Sequence, residues 1–245
     1  MEDDFRRSVA EFVGIFSLTF VGAGAIMASG NNLLAVAAAH GLILAIMVSA
    51  VGHISGAHFN PAITFGFLIT GRIAPRLAAS YWAAQFAGAT LAALLLKWIF
   101  PDVIVKGAHL GAPTLSPAIA VGPGLVLEIV MTFFLAWVVF ATAADPRGAF
   151  TSIAGFAIGL TVAADILMGG PLTGAAMNPA RAFGPQLVDR YWANAWIWYI
   201  GPLIGAGVAA LAYEYLYLRP LRPLLPVGPP ESGLEEPRPG DAAMS

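Results

Sequence analysis

Two asparagines 118 residues apart each stand directly before a Pro-Ala pair in a strongly apolar chain. The first stretch reads Ser55-Gly56-Ala57-His58-Phe59-Asn60-Pro61-Ala62-Ile63-Thr64-Phe65-Gly66. The second reads Thr173-Gly174-Ala175-Ala176-Met177-Asn178-Pro179-Ala180-Arg181-Ala182-Phe183-Gly184, and the two align without a gap. An asparagine amide can cap a helix with its oxygen and still offer N–H donors. Proline in the next position suits the first helical residue, where its missing N–H costs nothing. Each stretch therefore reads as a glycine-rich extended loop, a cap and a short helix, the helices beginning at Asn60 and Asn178. The apolar run behind each cap lasts about ten residues, to Thr70 and Val188, which spans about half of a bilayer core. Such a half-helix aims its positive N-terminal end at the membrane midplane. Amides placed there are expected to present N–H donors to a lumen, because an intramembrane polar group is costly unless satisfied or functional.

The other residues that could do chemistry are few. Glu11 and Glu128 precede Asn60 and Asn178 by 49 and 50 residues, so two carboxylates recur at matching places. Arg181 directly follows the second Asn-Pro-Ala. The four histidines, His40, His53, His58 and His109, have no metal-ligand spacing. The chain has no cysteine, which excludes disulfides, thiolate catalysis and thiolate metal sites. With no nucleophile–base pair and no metal constellation, neither an enzyme nor a cofactor is expected. The carboxylates keep one competing reading open, a proton-coupled transporter or intramembrane enzyme working through Glu11 and Glu128. A net charge of −2 without a basic patch gives no reason to expect nucleic acid.

Long apolar spans must position these groups. Of 245 residues, 58% are hydrophobic and 11% charged, and residues 12–71 contain no Asp, Glu, Lys or Arg. A soluble domain carries about a quarter charged residues, so the chain reads as a membrane protein in a lipid bilayer. The hydropathy pattern gives full spans over about 8–29, 33–53, 75–98, 122–144, 149–167 and 191–217. Arg6 and Arg7 precede a run that continues as a full span, so the N-terminus is not read as a cleavable signal. The connector 100–121 carries Lys106, His109 and three prolines. The expected fold is all-α, with six transmembrane helices and two re-entrant half-helices in one domain, 8–217. Residues 1–7 form a short lead, and the Pro-, Gly- and Glu-rich stretch 218–245 a disordered tail. Repeat one covers about 8–98 and repeat two about 122–217. Three full spans per repeat force the repeats to be inverted, so the half-helices enter from opposite faces and their N-termini meet. With the N-terminus inside, eight Lys or Arg residues are cytoplasmic and three are outside. That bias puts both termini in the cytoplasm. Small residues before each box, Gly56, Ala57, Gly174, Ala175 and Ala176, imply irregular backbone at membrane depth, tolerated where it is buried or lines a wet cavity. The carbonyls of these residues and of His58 are expected to form a ladder of acceptors.

Paired Asn-Pro-Ala boxes at half-chain spacing resemble the aquaporin (major intrinsic protein) family. The likeness runs from Glu11 to about Glu214 and includes His53-Ile54-Ser55-Gly56-Ala57-His58, Ala84-Gln85-Phe86-Ala87-Gly88-Ala89 and Gly201-Pro202. It implies that Asn60-Pro61-Ala62 and Asn178-Pro179-Ala180 line the pore, that Glu11 and Glu128 brace the pore loops, with His58 as a further brace, and that the protein is a homotetramer. The family's selectivity filter carries over to His40, Ile166, Ala175 and Arg181. Orthodox water channels have Phe and His at the first two of these positions, so this set is similar to the tonoplast intrinsic proteins instead. Ile166-Leu167-Met168-Gly169-Gly170-Pro171 strengthens that likeness, whereas Asp165 stands where that subgroup usually has Asn. The subgroup also brings a histidine from the connector to the filter arginine, and His109 is the candidate here. Ala182 in place of the aspartate of glycerol channels, and the bulky pair Trp198-Tyr199, count against a glycerol facilitator. The tail composition suggests a bacterial chain, hence a plasma (inner) membrane location. The resemblance implies a passive channel for water and, with Ile166 in the filter, ammonia, excluding protons and ions. The alternatives are a broader channel for small neutral solutes such as glycerol, and a non-conducting structural member.

Overall fold

The structure is a computed structural model that describes residues 2–147 and 153–221. Its helices in chain order are α1 (Glu2–Ala28), α2 (Leu33–Ser55), α3 (Pro61–Ile69), α4 (Pro75–Ile99), α5 (Asp102–Gly107), α6 (Val121–Val139), α7 (Ala154–Thr173), α8 (Pro179–Asp189) and α9 (Ile197–Tyr213). Six are long and apolar enough to cross a bilayer: α1, α2, α4, α7, and α6 and α9 together with the π-helical turns Phe140–Ala144 and Glu214–Leu218. The described residues contain no strand. The molecule is thus an all-helical, multi-pass integral membrane protein, with α3 and α8 as the two short helices at the Asn-Pro-Ala boxes.

Several element ends differ from the expectations, among them the sixth span, whose helix α9 begins at Ile197 rather than 191. α1 begins at Glu2, so the charged lead is helical; Glu2, Asp3 and Asp4 occupy its first turn, where negative charge complements the helix dipole. α7 does not stop at Leu167 but runs through Gly169, Gly170 and Pro171 to Thr173, ending on Gly174 in the left-handed conformation (φ 77°). α2 ends in the same way, at Ser55 with Gly56 at φ 88°. A proline inside a membrane helix is tolerated where neighbouring groups take up the freed carbonyl, which a rule drawn from soluble helices misses. The expected tail is helical from residue 218 as far as Leu221. The remainder of the tail and residues 148–152, with the expected start of the fifth span, lie outside the described residues.

Close backbone approach organises the bundle, and it does so twice. A Cβ on Gly88 would lie 2.6 Å from the Phe12 carbonyl oxygen, where α4 crosses α1. Gly205, 117 residues later, lies as close to the carbonyl of Ile129, where α9 crosses α6. Between the halves, α2 packs on α7 with Gly41 against Gly159, which are themselves 118 residues apart. Small residues at such crossings let van der Waals contact do what hydrophobicity cannot do in lipid. The connector is folded rather than loose: α5 is followed by a tight turn at His109–Gly111, and Ser116 N donates to Leu172 O at 2.8 Å.

Candidate functional site

Each pore loop hangs from a buried glutamate. Glu11 Oε1 accepts from Ser55 Oγ (2.7 Å) and His58 N (2.9 Å), while Oε2 accepts from Phe59 N (2.6 Å) and Gln85 Nε2 (2.8 Å). Glu128 Oε1 accepts from Thr173 Oγ1 (2.7 Å) and Ala176 N (3.1 Å), and Oε2 from Met177 N (2.9 Å). An aromatic donor completes each set: Tyr81 OH to Ser55 O (2.6 Å) and Trp198 Nε1 to Thr173 O (2.9 Å). These networks draw the loop N–H groups away from the lumen. They hold non-glycine residues at positive φ in matched places, Ala57 (50°) and Phe59 (46°), Ala175 (44°) and Met177 (50°). Backbone strain of this kind persists only where the surroundings over-determine it. Among the described residues no protein donor reaches the carbonyls of Gly56, Ala57, His58, Gly174, Ala175 or Ala176.

The half-helix N-termini meet through their caps. Asn60 Oδ1 accepts from Ala62 N (2.9 Å); Asn178 Oδ1 accepts from Ala180 N (3.0 Å) and Arg181 N (3.2 Å). Each amide also reaches across the repeat boundary, Asn60 Nδ2 to Met177 O and Asn178 Nδ2 to Phe59 O, both at 2.8 Å. One of the two N–H groups of each amide is therefore structural, and the second has no protein acceptor among the described residues. Sequence reasoning missed this reciprocal clasp.

All four expected filter residues, His40, Ile166, Ala175 and Arg181, line one cavity together with Asn60 and Asn178. Arg181 Nη1 donates to Gly111 O at 3.0 Å, while Nε (3.4 Å) and Nη2 (3.2 Å) both address His40 Nε2. A guanidinium can only donate, so Nε2 is the acceptor nitrogen of His40. His40 Nδ1, 2.8 Å from Val36 O, is then the donor. The ring is a neutral imidazole with both nitrogens engaged. At this level the Ala175 carbonyl and those N–H groups of Arg181 that have no protein acceptor remain without a protein partner among the described residues.

The cavity is a neck of about 30 Å³, room for about two waters. Two larger cavities, the mouths, are lined by Arg181 itself or by Gly56, which adjoins Ala57 of the neck in the chain. One, about 540 Å³, has Arg181 and Gly174 in its wall; the other, about 400 Å³, has Gly56. The expected carbonyl ladder thus divides, with Ala57, His58, Ala175 and Ala176 in the neck and a glycine at each mouth. Facing the loops is an aliphatic wall that includes Leu44, Leu135, Ile158 and Val162.

Other expected residues fall elsewhere. His109 lines the larger mouth, but its ring stacks on Tyr191 (4.0 Å between centroids) and its Nδ1 lies 3.3 Å from Asp189 Oδ2. Among the described residues it makes no hydrogen bond to Arg181; the same turn supplies the Gly111 carbonyl instead. His58 both lines the neck and is braced, with Nδ1 3.0 Å from Thr64 Oγ1. Trp198 and Tyr199 stand behind the second loop, Tyr199 OH donating to Gln186 Oε1 (2.8 Å). Asp165 is buried, and its Oδ2 has no partner among the described residues. Sequence reasoning also passed over Ser55, Tyr81 and Trp198 as loop supports. The last two are 117 residues apart, so aligning the halves beyond the boxes would have paired them.

Comparison with known proteins agrees with this architecture. Residues 2–213 match the family model for the major intrinsic protein family. The chain is 46% identical to a probable aquaporin TIP-type alpha of Phaseolus vulgaris over 93% of its length and 89% of the relative's. It is 45% identical to a probable aquaporin TIP3-2 of Arabidopsis thaliana, over 88% and 85% of the two chains. The aquaglyceroporin of Plasmodium falciparum superposes with a TM-score of 0.79 at 21% identity, covering 90% of this chain and 99% of that one, a likeness of fold. The chain belongs to the major intrinsic protein, or aquaporin, family.

Proposed function

We propose that the chain is a passive channel that conducts water and ammonia and excludes protons and ions. The observation that carries this reading is the neck of about 30 Å³ with Asn60, Asn178 and Arg181 on one side and an aliphatic wall on the other. A water in such a neck turns its oxygen toward the two amides and the two half-helix N-termini and its hydrogens away along the pore. That arrangement interrupts a proton wire, the account usual for aquaporin-type pores. Arg181, seated on His40 Nε2 and Gly111 O, repels cations. Ile166 gives the constriction an apolar side and His40 has no unengaged nitrogen, so a solute with a small dehydration cost is favoured over one that needs several hydrogen bonds. Ammonia is such a solute and glycerol is not. The carboxylates of Glu11 and Glu128 serve as loop braces, each taken up by at least three protein donors, rather than as proton carriers. The basic-residue bias supports cytoplasmic termini, the tail composition a plasma membrane, and the family a homotetramer.

Stopped-flow measurements on proteoliposomes test the reading with water, ammonia and glycerol in one preparation. Water and ammonia fluxes well above those of empty liposomes are expected, with glycerol flux near background and no proton current tracking the water. Ile166→His, which puts a hydrogen-bonding ring across from Arg181, should lower ammonia relative to water. Absence of ammonia flux in the parent protein, or an unchanged ratio in the variant, contradicts the filter assignment.

A further inference from the structure

Arg181 has two side-chain anchors, and both rest on neighbouring residues of α1. The His40 ring lies over Gly22: a Cβ there would fall 2.5 Å from ring atom Cδ2 and 2.7 Å from Cε1, and nearer still to Nε2. The backbone of Gly111, whose carbonyl accepts from Arg181 Nη1, lies on Ala23, and a Cβ on Gly111 would stand 2.7 Å from the Ala23 Cβ. Gly22 and Ala23 are both buried. The other half of the molecule makes no such notch. There the residue matching Gly22, 117 positions on, is Val139, and the residue matching His40, 118 positions on, is Ile158. Both line the neck, so the side with an aliphatic wall fills the space that the side with the histidine leaves open.

We propose that Gly22 is a positioning residue of the constriction: its missing side chain is the recess that lets the His40 ring stand back from the lumen with Nε2 toward Arg181. The inference rests on the channel reading above and adds to it a residue outside the expected filter set. A methyl group at position 22 occupies space the ring now fills. The ring is tethered to Val36 O through Nδ1, so it yields toward the lumen. The neck then narrows and Arg181 loses one of its two anchors.

The experiment is a double-mutant cycle of Gly22→Ala and His40→Ala, each variant purified in full length and reconstituted for water and ammonia flux. Gly22→Ala alone should lower water permeability by about tenfold, since overpacking a filled site displaces the weaker-held group. In the His40→Ala background the same change should have little effect, because no ring remains to collide with. A loss of equal size in both backgrounds overturns the proposal and marks Gly22 as a helix-packing residue only. Parent-like flux in Gly22→Ala overturns it as well. Should Gly22→Ala fail to reach the membrane, recovery of insertion in the double variant supports the proposal, and failure of both variants refutes it. His40→Ala by itself checks the underlying reading: an unchanged ammonia-to-water ratio would remove His40 from the constriction, whatever Gly22 does.

Discussion

His40, Ile166, Ala175 and Arg181 have counterparts 118 residues away in the other repeat: Ile158, Val48, Ala57 and Ile63. Three of these line the same neck, and Val48 lines the mouth beyond it. The supports behind the two sets match closely, with a glutamate, a hydroxyl and an aromatic donor each. What is mounted on them does not match, since one set carries a charge and the other is wholly apolar. The reason lies in what a buried charge requires. Arg181 is only 2% exposed and needs acceptors, which it finds on His40 and Gly111. At the matching place His40 is replaced by Ile158. Gly111 belongs to the connector that joins the repeats, and a connector occurs once. Duplication supplies two scaffolds; the segment between them gives only one a seat for an arginine.

Exchanging the two designs should produce the largest effect. Ile63→Arg places a guanidinium where Ile158 stands in the place of His40 and no second connector offers a carbonyl, and an uncompensated buried charge costs about 3–5 kcal/mol. We expect little or no folded protein by size-exclusion chromatography in detergent. A variant that folds normally and conducts water would show that the seat is unnecessary, and the comparison would lose its physical basis.

The braces offer a finer contrast. Glutamine replaces a carboxylate at the same shape but turns one acceptor into a donor, which then faces loop N–H groups. A mismatch of this kind costs about 1–3 kcal/mol when buried. At Glu11 the neighbour Gln85 has an Oε1 atom without a partner among the described residues, so a turn of its amide can receive the new donor. The residue matching Gln85 is Pro202, which has no such group. Thermal unfolding in detergent should therefore show Glu128→Gln more damaging than Glu11→Gln. Equal losses, or the reverse order, would mean that Gln85 does not buffer the first brace.

Much of this was legible because symmetry writes the same residues twice. Asn60 and Asn178, Glu11 and Glu128, and the six apolar spans could be found by spacing and hydropathy. The neck wall at His40, Ile166, Ala175 and Arg181 could be placed by family likeness. What stayed hidden was carried by groups that a residue list does not display. Gly111 contributes a carbonyl, which any residue type has. Gly22 contributes an absence. The clasp of each asparagine on the opposite loop needs the two half-helix ends in contact, and no periodicity reports that. His109 illustrates the converse: a residue type suited to the filter is drawn to Asp189 and Tyr191 by the fold of a short turn.

The smallest expected effect lies where the repeats differ without touching the pore. Asp145, just beyond α6 and its π turn, accepts from Arg147 N (2.9 Å), from Arg147 Nη2 (2.7 Å) and from Tyr213 OH (3.1 Å). The positions 117 residues earlier are Ala28, Gly30 and Leu96, so the turn after α1 has no such clamp. The hydrogen bond from the Arg147 side chain, above all, holds the Asp145 carboxyl down to about 2 from its ordinary 3.8. A folded value below the unfolded one means that the stabilisation is fully present above about pH 4 and is lost as the pH falls toward 2. The Arg147 side chain is 51% exposed, so screening keeps the contribution within about 1 kcal/mol. Asp145→Asn should lower the unfolding midpoint at neutral pH by about 2–4 °C, the shift for a loss of that size in a chain of this length. The gap between variant and parent should close below pH 3, with water permeability unchanged throughout. A gap that persists at pH 2 would show that the clamp acts through shape rather than charge.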